Sequence, residues 1–146
     1  LENVTFDNCF FGKVVFKNCE LLNVTFTESN LNKIIFNNSK LTRINLFACS
    51  FDDLMIEECI WQYSNFENTT INNAKIDDGR LVENIHRHNK YISVDFYKCD
   101  LVEENFIDVE EKYPTIVTTS NDLVTSTLSI LNVIEILSYK GIILED

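Results

Sequence analysis

A bulky apolar side chain recurs at every fifth position without a miss, and few folds tolerate that period. The series is Phe6, Phe11, Phe16, Leu21, Phe26, Leu31, Phe36, Leu41, Leu46, Phe51, Ile56, Trp61, Phe66, Ile71, Ile76 and Leu81. Two residues before each member runs a second, smaller series: Val4, Cys9, Val14, Cys19, Val24, Ser29, Ile34, Ser39, Ile44, Cys49, Leu54, Cys59, Ser64, Thr69, Ala74 and Gly79. A helix repeats about every 3.6 residues and a strand about every 2.0, so a period of five fits neither as a continuous element. The chain must therefore turn at each repeat. With five residues per side, four sides close a square coil of about 20 residues whose central (i) and i−2 residues point inward, and coils stack roughly 4.8 Å apart. The expected architecture is an all-β, four-sided solenoid.

This register resembles the pentapeptide-repeat family over residues 4–83. The resemblance implies a right-handed quadrilateral β-helix. The family's usual small–Asp/Asn–Leu core is degenerate here, with Phe often at the centre and Val or Ile at many i−2 positions.

Residues 20 apart become vertical neighbours in such a stack, which makes the interior readable in columns. Phe6, Phe26, Leu46 and Phe66 form one, and Leu21, Leu41, Trp61 and Leu81 another. From Val82 to Ile92 the pattern lapses, since His86 and Tyr91 take the central phase and Asn84 and Asn89 the small one. Residues 84–92 accordingly read as an outward loop or distorted coil, with His86 and His88 as surface or loop-packing histidines. An H-x-H pair with no third ligand in view is a weak metal signal. The beat then returns at Val94–Phe96 and Cys99–Leu101, with Phe106, preceded by Glu104, as a weaker third side.

The expected division is a solenoid over 1–107, interrupted near 84–92, followed by an acidic connector and a C-terminal helix over 108–146. Residues 108–114, Asp-Val-Glu-Glu-Lys-Tyr-Pro, read as leaving the solenoid at the chain's only proline. Thr119, Ser120 or Asn121 can N-cap a helix running to about Ser138, with Gly141 suited to its C-terminal turn. Leu123, Ile130, Leu131, Ile134 and Leu137 share one of its faces, marking it as a solenoid cap or a homodimer element.

On a regular coil the i−1, i+1 and i+2 residues face solvent. Val15, Ile35 and Met55 then make an apolar stripe, a candidate partner-binding surface, before Lys75 ends it. A net charge of −11 argues against direct nucleic-acid binding, and no apolar run is long enough for a membrane span. The charge is uneven along the axis: coils 4–23 and 24–43 carry Lys13, Lys17, Lys33, Lys40 and Arg43, whereas Asp52, Asp53, Glu57, Glu58, Asp77 and Asp78 form a candidate acidic strip. Five inward cysteines without a C-x-x-C pair favour a reducing, cytoplasmic setting. Asn3, Asn23, Asn37 and Asn68 each open a glycan-acceptor triplet, which an Asn-rich repeat generates freely.

No catalytic constellation, cofactor motif or zinc pair accompanies the repeat, so the sequence reads as a non-catalytic interaction or scaffold module with a protein partner. Two narrower readings come from resemblance. Some pentapeptide-repeat proteins are anionic rods that imitate duplex DNA at type II topoisomerases. The texture of Phe16-Lys17-Asn18-Cys19 and Asn23-Val24-Thr25-Phe26 resembles the luminal loop of synaptic-vesicle glycoprotein transporter relatives, which implies an extracytoplasmic, receptor-like solenoid.

Overall fold

The structure, a computed structural model, describes residues 1–112 and 115–117. They form a four-sided parallel β-solenoid in which each strand up to Lys90–Tyr97 pairs with the one 20 residues later, as in Phe6↔Phe26, Phe16↔Phe36 and Trp61↔Leu81. Side one stacks six strands, from Thr5–Asp7 to Asn105–Ile107. Side four stacks five, from Glu20–Leu22 to Asp100–Val102. Sides two and three belong to one sheet because Ser50–Glu57, Thr70–Asp77 and Lys90–Tyr97 run through the corner between them.

The two inward series form one core. Leu21, Phe26, Phe36, Leu41, Leu46, Phe51, Trp61 and Phe66 are buried, while Phe6, Phe11 and Phe16 of the first coil are only partly covered. Aromatic rings stack along the axis, Phe6 on Phe26 at 5.1 Å and Phe16 on Phe36 at 5.0 Å. Each buried side chain removes roughly 1.5–3 kcal/mol worth of apolar surface from water, offset by the entropy of ordering the chain.

The turn that the period demands occurs at the i+2 residue. All 22 residues from Asn3 to Asp108 in that phase have positive φ, between 47 and 57°, and none is glycine. L-residues pay about 1–2 kcal/mol in this left-handed region, least for Asn and Asp and most for β-branched side chains. Accordingly Asn and Asp fill ten of the positions, and Val, Ile and Thr fill none. The corner amide is not wasted, because it donates to the carbonyl of the i+1 residue one coil on, as from Asn8 to Thr27 at 2.9 Å and Lys33 to Asp52 at 2.8 Å. Ala48 has neither a polar side chain nor glycine's freedom at φ 51°. Ala48→Gly is expected to raise the unfolding free energy by about 1 kcal/mol and Ala48→Val to lower it by about 1–2 kcal/mol, as read by urea denaturation.

The structure corrects two expectations. Residues 84–92 are neither a loop nor a distorted coil: Arg80–Val82, Ile85–Arg87 and Lys90–Tyr97 continue the sides in register, and Asn84, His86, Asn89 and Tyr91 are all buried. The expected exit over 108–114 is not seen in the described residues either, since Glu110–Lys112 and Thr115–Val117 pair in parallel with Lys90–Tyr97. The expected helix, with Leu123, Ile130, Leu131, Ile134 and Leu137, lies outside the described residues.

Candidate functional site

An i−2 residue points inward, and its own backbone N–H runs along the axis towards the i−2 residue of the next coil. A polar side chain there can accept it. Cys9 N–H donates to Ser29 Oγ and Cys19 N–H to Ser39 Oγ, both at 3.0 Å, and Ile44 N–H donates to Ser64 Oγ at 2.9 Å. The same geometry explains the residues that looked like a lapse. Ser64 N–H donates to Asn84 Oδ1 and Thr69 N–H to Asn89 Oδ1, each at 2.9 Å, and Asn84 N–H donates to Glu104 Oε1 at 3.1 Å. The two Asn amides also donate onward, Asn84 Nδ2 to Trp61 O at 2.8 Å and Asn89 Nδ2 to Phe66 O at 2.9 Å.

These caps lead into a buried polar network. Glu104, with no exposed surface, receives Asn84 Nδ2 on Oε1 at 2.9 Å and lies 2.7 Å through Oε2 from His86 Nε2. His86 Nδ1 is 2.6 Å from the Tyr91 hydroxyl, to which Asn89 Nδ2 donates at 3.2 Å. In the tautomer with the Tyr91 hydroxyl donating to Nδ1, the Nε2–H donates a hydrogen bond to Glu104 Oε2. The imidazole takes the place of a core phenyl ring, stacked between Phe66 at 4.6 Å and Phe106 at 4.3 Å. His86 is therefore a core residue, not a surface one. His88 is the exposed member of the pair, at a corner 3.6 Å from Asp108. No group of three or more metal-ligating side chains occurs among the described residues.

Outside, the structure aligns Val15, Ile35 and Met55 as direct vertical neighbours on side three, followed by Lys75 and Asp95. Val15 is 57% exposed, and Ile35 and Met55 are half-buried. The six acidic residues do not make a single strip. Asp52 and Asp53 lie at the corner between sides two and three, and Glu57, Glu58, Asp77 and Asp78 at the corner between sides three and four. Several are engaged: Asn72 Nδ2 donates to Asp52 at 3.0 Å, Asn37 Nδ2 to Glu57 at 3.1 Å, and Asn73 Nδ2 to Asp53. Lys75 Nζ meets Asp77 at 2.8 Å, and that hydrogen bond and charge push the ammonium above its usual range.

No disulfide joins the five cysteines. Burial raises the thiol pKa of Cys49 and of Cys59 above the ordinary value, which lowers their thiolate fraction. A disulfide-exchange reagent at neutral pH is expected to modify the half-buried Cys9 and Cys19 first, and Cys49 and Cys59 only on unfolding. Peptide mapping of a labelling time course reads this directly.

A stack of short parallel sides with a five-residue period, an inward aromatic ladder and left-handed corners defines a pentapeptide solenoid. A family model described as pentapeptide repeat region matches residues 1–84, and the chain belongs to that family. Among solved structures the chain is similar to the pentapeptide repeat protein Rfr23 from the cyanobacterium Cyanothece 51142, at 14% identity and a TM-score of 0.46, covering 80% of this chain and 88% of that one. A trypsin-treated form of QnrB1, a plasmid-mediated fluoroquinolone resistance protein, matches at 13% identity and a TM-score of 0.33, covering 80% of this chain and 69% of that one. No curated protein matches the sequence. No helix among the described residues is long and apolar enough to cross a membrane.

Proposed function

We propose that this chain is a non-catalytic protein-interaction module that presents side three of its solenoid to a protein partner. The observation that carries the reading is the apolar ladder Val15–Ile35–Met55, with Val15 exposed and Ile35 and Met55 half-buried, lying among mostly polar outward residues and held in fixed register by the backbone. The polar groups with catalytic chemistry, His86, Glu104 and Tyr91, are sealed in the core and spent on one another, which supports a role without catalysis. A photo-crosslinking residue at position 35, in the native host, is expected to yield a discrete adduct that the same residue at position 65, exposed on side one, does not. The adduct should vanish with Met55→Glu. Equal labelling at both positions, or none at either, overturns the reading.

The net charge of −11 supports a second reading, an anionic modulator of a type II topoisomerase. Lys13, Lys17, Lys33, Lys40 and Arg43 interrupt any phosphate-like array in the first two coils. Under this reading a supercoiling assay shows inhibition or protection that weakens on Glu57→Gln with Asp77→Asn. An unchanged supercoiling rate removes it.

A further inference from the structure

The stripe on side three has a charged rim, and the rim is polarised along the solenoid axis. Lys13 and Lys17 flank Val15, whereas Asp53 and Glu57 flank Met55, with Glu58 beyond. Four other lysines find partners among the described residues: Lys40 lies 3.9 Å from Glu20, Lys75, next above Met55 in the same column, 2.8 Å from Asp77, Lys90 3.9 Å from Glu110, and Lys98 lies over the Tyr97 ring at 5.2 Å. Lys13, Lys17 and Lys33 enter no ion pair or ring contact among the described residues. All three lie beside the stripe. The carboxylates at its other end each hold at most one Asn donor, which leaves oxygen lone pairs open.

Such a surface complements itself. We propose that side three docks on side three of a second copy of this chain, about a two-fold axis that lies in the interface along the strand Ile35–Asn37. This rests on reading side three as an interaction surface and names its occupant. The operation reverses the order of coils and keeps the flanks in place, so Val15 meets Met55 of the second copy and Ile35 meets its own copy. Lys17 then faces Glu57 of the second copy and Lys13 faces its Asp53. Both charge pairs occur twice, as an isologous contact requires. The two copies of Lys33 approach at the solvated rim, one coil from Asp53. Three coils at about 4.8 Å make the contact only ~14 Å tall, and a side about three residues, or ~10 Å, wide gives it an area on the order of 150 Å², well short of the ~800 Å² per partner of a standard interface, so the dimer is weak and salt-sensitive.

Sedimentation velocity on the full chain, from about 10 µM to about 1 mM at low salt, tests this. A concentration-dependent dimer is expected, with its dissociation constant raised at least about tenfold by ~0.5 M sodium chloride. Ile35→Glu should abolish it and Asn65→Glu, on side one, should leave it unchanged. Lys17→Glu should also abolish it, and Lys17→Glu combined with Glu57→Lys should restore it, a rescue that misfolding cannot mimic. A monomer throughout, or a dimer indifferent to Ile35→Glu, overturns the proposal. If the monomer still gives a position-35 adduct in the host, self-docking alone fails; with no adduct either, the interaction reading fails as well.

Discussion

Glu104→Ala is expected to destabilise the chain by about 3–5 kcal/mol, because it strands the buried Asn84 N–H and the His86 imidazole and takes from the Asn84 side-chain amide one of its two acceptors, the other being Trp61 O. Asn84 and His86 are both buried, so each stranded donor pays its own desolvation. Glu104→Gln keeps one oxygen for Asn84 and changes only the group facing His86, and should cost about 1–2 kcal/mol. Urea unfolding followed by the fluorescence of Trp61, the chain's one tryptophan, compares the three proteins. In a solenoid each coil touches only its neighbours, so the loss should be local. Hydrogen exchange should accelerate over 84–108 in Glu104→Ala while 24–63 stays protected. Equal urea midpoints for Ala and wild type would remove the network from the account of stability.

Trp61→Ala should cost about 3–5 kcal/mol through the cavity it leaves in the middle of the stack. Its ring packs edge-on against Phe36 at 5.5 Å and tilted against Phe66 at 5.2 Å, and it is 2% exposed. Trp61→Phe should cost much less. The indole Nε1 is buried without a hydrogen-bond partner, so the phenyl ring loses contact area but also removes an unsatisfied donor. Circular dichroism during thermal unfolding separates the two. A Phe variant as unstable as the Ala variant would show that ring volume, not the stranded donor, decides this position.

The period of five, the 20-residue register and the inward columns were legible because each is a repeated demand on one kind of side chain. The stretch 84–92 was not, and the reason is specific. A rule that expects apolar residues at the centre scores His86 and Tyr91 as failures, although they fill the same ring-shaped space and satisfy each other. A rule that expects small residues at i−2 scores Asn84, Asn89 and Glu104 as failures, although each accepts a backbone N–H from 20 residues earlier. The signal was present in Ser29 and Ser39, which cap Cys9 and Cys19 in the same way. Of the surface features, the stripe was legible because it follows from the register alone. The partition of the acidic residues between two corners follows from the register as well, but only once i+1 and i+2 are assigned to particular sides. Reading Pro114 as an exit misjudged the chain before it, since the strand Glu110–Lys112 continues the ladder.

Among the described residues the ladder hydrogen bonds point along the solenoid axis, while the covalent chain runs around it. The object is therefore mechanically anisotropic. A load around the girth is carried by peptide bonds, but a load that lifts the N-terminal coil meets only the hydrogen bonds of a single side before the next side takes the strain. Under such a load the N-terminal coil is expected to peel away like tape from a reel, and a partner gripping one side across several coils, as proposed, would be the tie that stops it.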